Sequence, residues 1–121
     1  MKSLTKAEEQ IMQAAWSLED GGMLKDIVEA MPEPRPHHNT VATLLKILVD
    51  KKYIGIRNSG RFNHYYPRVQ KHEFTNMTLN GLTKGYFEGS YQDMVSFMVD
   101  QKKLSVQDLE LLLKQIKTGK K

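Results

Sequence analysis

The chain has no cysteine, which removes disulfide frameworks, thiolate metal sites and cysteine nucleophiles together and fits a reducing interior. Sensing of copper or zinc through thiolates is excluded with them. No run approaches the roughly 18 apolar residues of a membrane span, and the start, Met1-Lys2-Ser3-Leu4-Thr5-Lys6, carries charge with no apolar segment behind it. The expectation is a cytoplasmic protein with neither a signal peptide nor membrane insertion. A glycine-rich phosphate loop, a His-Glu-x-x-His pair and a Gly-x-Ser-x-Gly elbow are also missing, so the expectation is a non-enzyme without cofactors. His37 and His38 invite a metal reading, but adjacent side chains diverge and no acid stands beside them to complete a ligand set.

What is present suits one small folding unit with a dependent extension: 121 residues, 40% hydrophobic and 26% charged. The net charge of +4 is unevenly spread. Residues 35–72 hold Arg35, Lys46, Lys51, Lys52, Arg57, Arg61, Arg68 and Lys71 against the single acid Asp50, together with all four histidines. Acids outnumber bases in residues 1–34, and residues 73–121 are nearly balanced. A segment this polarised is the electrostatic footprint of a polyanion-binding face, because phosphate neutralisation with counterion release dominates such affinity.

Local patterns give the elements. Thr5 and Glu8 have capping-box spacing, and Leu4, Ala7, Ile11, Ala14, Ala15 and Leu18 recur at helical intervals. The first helix is expected from Lys6 to about Leu18, ended by Gly21 and Gly22. A short helix follows over 24–31 and is closed by Pro32, Pro34 and Pro36. From His38 to Lys52, Val41, Leu44, Leu45 and Leu48 form one apolar stripe. Opposite it cluster Asn39, Thr43, Lys46 and Asp50, with Ala42 and Ile47 at the margins and Thr40 beside Ile47. Short polar side chains at the start of that face let the backbone approach whatever docks there, as insertion into a DNA groove requires.

Residues 53–57 and 62–67 read as two strands around the turn signal Asn58-Ser59-Gly60, giving a hairpin whose tip carries Arg57 and Arg61. Three helices and then a basic-tipped hairpin is the order of a winged helix-turn-helix domain. From Val69 to Phe87 the chain reads helical, with Gly81 and Gly85 implying either a close neighbouring backbone or a helix end near Gly85. Two further helices are expected. Tyr91, Met94, Val95, Met98 and Val99 line one; Val106, Leu109, Leu112, Leu113 and Ile116 line the other, which Ser105 and Asp108 cap. The first 70 residues already complete a small core, so these stripes suit a dimerisation arm in which two copies bury one another; packing back onto the first domain is the competing arrangement.

The run Leu4-Thr5-Lys6-Ala7-Glu8, then Ile11-Met12 and Trp16, then Asn39-Thr40-Val41-Ala42-Thr43-Leu44-Leu45 to Leu48, Lys51-Lys52-Tyr53-Ile54 and Tyr65-Tyr66-Pro67, resembles the BlaI/MecI family of penicillinase and methicillin-resistance repressors, which also includes CopY. The resemblance implies a winged helix on a palindromic operator, a C-terminal helical arm making the homodimer, and Asn39, Thr40, Ala42 and Thr43 at the positions that face bases. It also implies induction by cleavage of the arm, at an Asn-Phe pair in the β-lactam-responsive members, after a membrane sensor with a zinc protease domain responds. The matching pair here is Ser96-Phe97. Ala42 replaces a larger polar residue frequent in the family, so the operator does not transfer, and the cysteine-rich tail of the copper-responsive branch has no counterpart.

These readings converge on a mainly α fold with a small β-hairpin: a winged helix-turn-helix over residues 1–70 and a helical dimerisation region over 71–121. The expected function is repression by a homodimer on a double-stranded DNA operator. Asn39 and Thr43 read bases, with Thr40, Ala42 and Lys46 alongside. Lys51, Arg57 and Arg61 anchor phosphates, and His38 assists. Met94, Met98, Leu109, Leu112, Leu113 and Ile116 form the dimer interface. The rival is a winged-helix adaptor whose basic face meets an acidic protein.

Overall fold

A computed structural model describes residues 2–119. The chain folds as α1 (Lys6–Ser17), α2 (Leu24–Glu29), α3 (His38–Asp50), β1 (Ile54–Ser59), β2 (Phe62–Pro67), α4 (Lys71–Tyr86), α5 (Tyr91–Asp100) and α6 (Val106–Lys117). It divides into two compact units, one ending at Thr75 and the other beginning at Asn76. The division falls within α4, five residues beyond the boundary expected from sequence. The reason is visible in the packing: Phe74 lies 5.6 Å from the Trp16 ring and 6.1 Å from the Tyr53 ring, so the first turn of α4 closes the first core.

In the first unit α1 begins as its capping box requires. The Glu8 N–H donates to the Thr5 hydroxyl at 3.2 Å, and the Thr5 N–H donates to the Glu8 carboxylate at 2.8 Å. Ile11, Met12 and Ala15 of α1, Ile27 of α2, and Val41, Leu45 and Leu48 of α3 are all fully buried with Tyr53 and Ile54. Leu44, the fourth member of the expected α3 stripe, is half-buried at the margin of this cluster. Burying each such aliphatic side chain contributes about 1.5–3 kcal/mol, and the three helices are held mainly by this shared interior. The Trp16 indole N–H donates to the Val69 carbonyl at 2.8 Å, tying the end of the hairpin to α1.

The hairpin is antiparallel, pairing Ile54 with Pro67 through to Ser59 with Phe62. Gly60 and Arg61 therefore form a two-residue turn. Gly60 has φ +68°, and Arg61 is not among the residues with positive φ, the pattern of a II′ turn that matches strand twist. Arg57 sits three residues before this turn and not at the tip as the sequence suggested. A short segment after α1 is bridged to the hairpin at one position: Gly22 and Tyr65 exchange two backbone hydrogen bonds, of 2.9 and 2.8 Å. Gly21, with φ +72°, is needed beside it, because a Cβ there would lie 1.9 Å from the Tyr65 carbonyl oxygen.

In the second unit, Ser90 caps α5, and Ser105 with Asp108 forms a reciprocal capping box on α6. The Ser105 N–H and hydroxyl hold the Asp108 carboxyl below its usual range. The Phe87 and Phe97 rings meet at 5.6 Å, Tyr91 donates to the Asn80 side chain, and Thr83 donates to the Leu79 carbonyl. Thr83 is the one buried residue of this unit among the described residues. α4 ends at Tyr86, and a Cβ on Gly81 or Gly85 would meet nothing within 4 Å. The glycines mark no close backbone approach; the helix end near Gly85 is the explanation that fits.

Candidate nucleic-acid interface

α3 carries the candidate base-reading face. Its first turn is capped by His37, whose Nδ1 accepts from the Asn39 N–H at 3.0 Å. His37 is thus a helix cap, and among the described residues no group of three or more His, Cys, Asp or Glu could hold a metal ion. Asn39, Thr40, Thr43 and Lys46 are exposed together with Asp50, and Ala42 is half-buried at the edge of the face. The Thr43 hydroxyl donates to the Asn39 carbonyl at 3.0 Å, which leaves the hydroxyl oxygen free to accept. The Asn39 amide has both donor and acceptor available, the combination that pairs with an adenine edge.

The cations divide into two classes that the sequence did not distinguish. The Lys51 ammonium lies 2.8 Å from Glu8 Oε1 and 3.0 Å from the Ser3 carbonyl oxygen, and its side chain is only 21% exposed. It ties the C-terminal end of α3 to the cap of α1, so the ammonium expected to anchor a phosphate is already paired within the chain. Burial pushes the Glu8 carboxyl up, but hydrogen bonds from Lys51 and Thr5 together hold it below its ordinary value. Arg57 is also paired, but at the surface, with its side chain 54% exposed. Its two terminal nitrogens reach the two Asp20 oxygens at 3.2 and 3.3 Å, and its guanidinium lies 4.5 Å from the centre of the Tyr66 ring. The Arg57 hydrogen bond and charge hold Asp20 below the usual carboxylate range. The Asp20 carbonyl also meets the His64 ring, so Asp20 holds the hairpin from two sides.

Arg61 and His38 fall in the other class. Arg61 occupies the turn and His38 the first position of α3, and both line one open hollow of about 400 Å³ between α2, α3 and the hairpin. Lys25 of α2 lines it as well. Lys25 was missed in the sequence, because it stands in the acid-rich first third of the chain and only folding carries it to the basic face.

The residues proposed for the dimer interface lie on α5 and α6. Met94, Met98 and Leu109 are half-buried, while Leu112, Leu113 and Ile116 are exposed, Ile116 to 70%. Ser96 is exposed and Phe97 half exposed, both in the middle of α5.

Three helices around one core, the last presenting a short-side-chained polar face, followed by a hairpin that pairs back onto the α1–α2 connection, define a winged helix-turn-helix protein. The chain matches the penicillinase repressor family over residues 4–118 and belongs to that family of transcriptional regulators. No curated protein sequence matches it significantly. No helix among the described residues is long and apolar enough to cross a membrane.

Proposed function

We propose that the chain is a homodimeric repressor that blocks transcription by occupying a palindromic operator. The observation that carries this reading is the exposed Asn39, Thr40, Thr43 and Lys46 face of α3 beside a hairpin whose turn presents Arg61, in a member of a repressor family. Asn39 and Thr43 contact base edges, Thr40 and Lys46 flank them, and Ala42 offers a methyl-sized surface suited to thymine. Lys51 braces α3 against the start of α1, and Arg57, paired with Asp20 at the surface, braces the hairpin beside the interface.

Dimerisation is supported by the second unit, whose α6 exposes Val106, Leu111, Leu112, Leu113 and Ile116 by 46–70%. Three helices with no buried aliphatic residue of their own gain most from covering these side chains with a second copy. Two recognition helices then reach successive major grooves roughly 34–36 Å apart. Relief by proteolysis at Ser96-Phe97, triggered by a membrane sensor with a zinc protease domain, belongs to the same reading. The bond lies inside a helix, so a protease must first unwind α5.

The test is binding of the full chain to duplex DNA between about 50 and about 200 mM salt, with sedimentation of the same preparation. Tight, steeply salt-dependent binding by a dimer supports the proposal. A monomer, or a dimer indifferent to every duplex at low salt, refutes it, and capture of an acidic protein partner instead would favour the adaptor. Leu112→Asp with Ile116→Asp should convert the dimer to monomer and lower DNA affinity without unfolding the first unit.

A further inference from the structure

We propose that the hollow between α2, the first turn of α3 and the hairpin turn seats a single DNA phosphodiester, with Lys25, His38 and Arg61 as its donors. The inference rests on the DNA-binding reading and adds to it a contact from α2 and a count of phosphates. Three positions separated by 13 and 23 residues in sequence come to one cavity of about 400 Å³, and no carboxylate lines it. Among the described residues the side chains of Lys25, His38 and Arg61 have no hydrogen-bond or ion-pair partner. Three other cations of the unit are paired: Lys51 is held by Glu8, Arg57 by Asp20, and Arg35 by Glu33 with the Met31 and Glu29 carbonyls. Of those that are not, Arg68 shares its hollow with Glu19 and Asp20, and Lys52 shares its own with Asp50. What sets Lys25, His38 and Arg61 apart is that they share one hollow with no carboxylate in its lining, the arrangement that suits an anion from outside the chain.

The walls narrow the class of anion. Met23, Leu24, Phe62 and Tyr65 give the hollow apolar sides, and Phe62 is 60% exposed there. A base edge would leave these walls facing donors and acceptors. A phosphodiester flanked by deoxyribose carbons matches a cationic floor with apolar sides. Asn63 adds a donor, because its Oδ1 already accepts from Asn58 at 3.0 Å, leaving its NH₂ available. A phosphate fixed beside His38 sets the depth and register at which Asn39, the next residue, and Thr43, more than a turn further along, meet the bases.

The test compares Lys25→Ala, Arg61→Ala and the double variant on a random-sequence duplex, with affinity followed against salt. Lys84→Ala, in the second unit, controls for loss of charge. Neutralising one phosphate contributes roughly 0.9 to the log–log salt slope, or about eightfold in affinity at about 0.1 M relative to 1 M. If Lys25 and Arg61 share one phosphate, each single variant loses part of this and the double variant loses about 0.9 in slope and about eightfold in affinity. Two separate phosphates would give about 1.8 and about sixtyfold, and that result would overturn the shared seat. Lys25→Ala indistinguishable from Lys84→Ala would overturn it too while leaving the parent reading intact. A wild-type chain that ignores duplex DNA would bring down both. Lys25 and Arg61 are exposed, so thermal melts of the variants should match wild type.

Discussion

Replacing Lys51 by methionine separates an internal role from a DNA contact. The substitution keeps the length of the aliphatic stem but removes the ammonium 2.8 Å from Glu8 Oε1 and 3.0 Å from the Ser3 carbonyl. Glu8 is only 3% exposed, and it keeps the Thr5 N–H as its remaining strong donor. Losing a charged hydrogen bond at such a site costs about 1.5–3 kcal/mol, below the figure for a wholly buried pair because the Lys51 side chain retains some solvent. A loss of about 2 kcal/mol in a domain of this size lowers the melting temperature by roughly 8–16 °C. Melting is followed through Trp16, the single tryptophan, near neutral pH and at successively lower pH. The folded-state pKa of Glu8 lies below its ordinary 4.5. Its contribution to stability is therefore complete above the unfolded-state value and disappears as pH falls through the folded-state value. The gap between wild type and Lys51→Met should accordingly close in acid. The salt slope for DNA should stay unchanged. An unshifted melt, a gap that persists in acid, or a slope flattened by about 0.9 would refute the internal assignment.

Gly21→Ala should destabilise the first unit by more than about 2 kcal/mol, since φ +72° and a Cβ 1.9 Å from the Tyr65 carbonyl oxygen cannot both be accommodated. Gly60→Ala, with φ +68° but open space around it, should lose only about 1–2 kcal/mol; equal losses in denaturant titrations would contradict this. Gly81→Ala should stabilise α4 by about 0.5–1 kcal/mol, because the added methyl meets no neighbour within 4 Å. A lower melting temperature, or loss of the dimer, would instead reveal a close contact at Gly81 in the assembly. Asp20→Asn should loosen Arg57 and let it reach a phosphate, steepening the salt slope by up to about 0.9; an unchanged slope would mean that the Tyr66 ring alone holds the guanidinium.

The helices were legible because their signals are local. The Thr5–Glu8 and Ser105–Asp108 caps act across three residues, and the Val41, Leu45 and Leu48 stripe repeats within two turns, so neither depends on what the rest of the chain does. The hairpin was legible in its strands but not in its turn. Register is set by pairing across the sheet, and it moved the turn to Gly60-Arg61 and Arg57 away from the tip.

The roles of the cations were the part that sequence could not assign. Lys51 meets Glu8 across 43 residues and Arg57 meets Asp20 across 37. Composition shows a basic segment, yet whether a cation faces solvent or an acid of its own chain depends on contacts that exist only after folding. The polar face of α3, with Asn39 and Thr43, was determined by the amino-acid order itself, because a helix of fixed pitch leaves no other arrangement of those residues. The convergence of Lys25, His38 and Arg61 on one hollow, and the pairing of Lys51 and Arg57 with acids of their own chain, were decided by tertiary packing, because Coulomb attraction follows distance in space and is indifferent to separation along the chain.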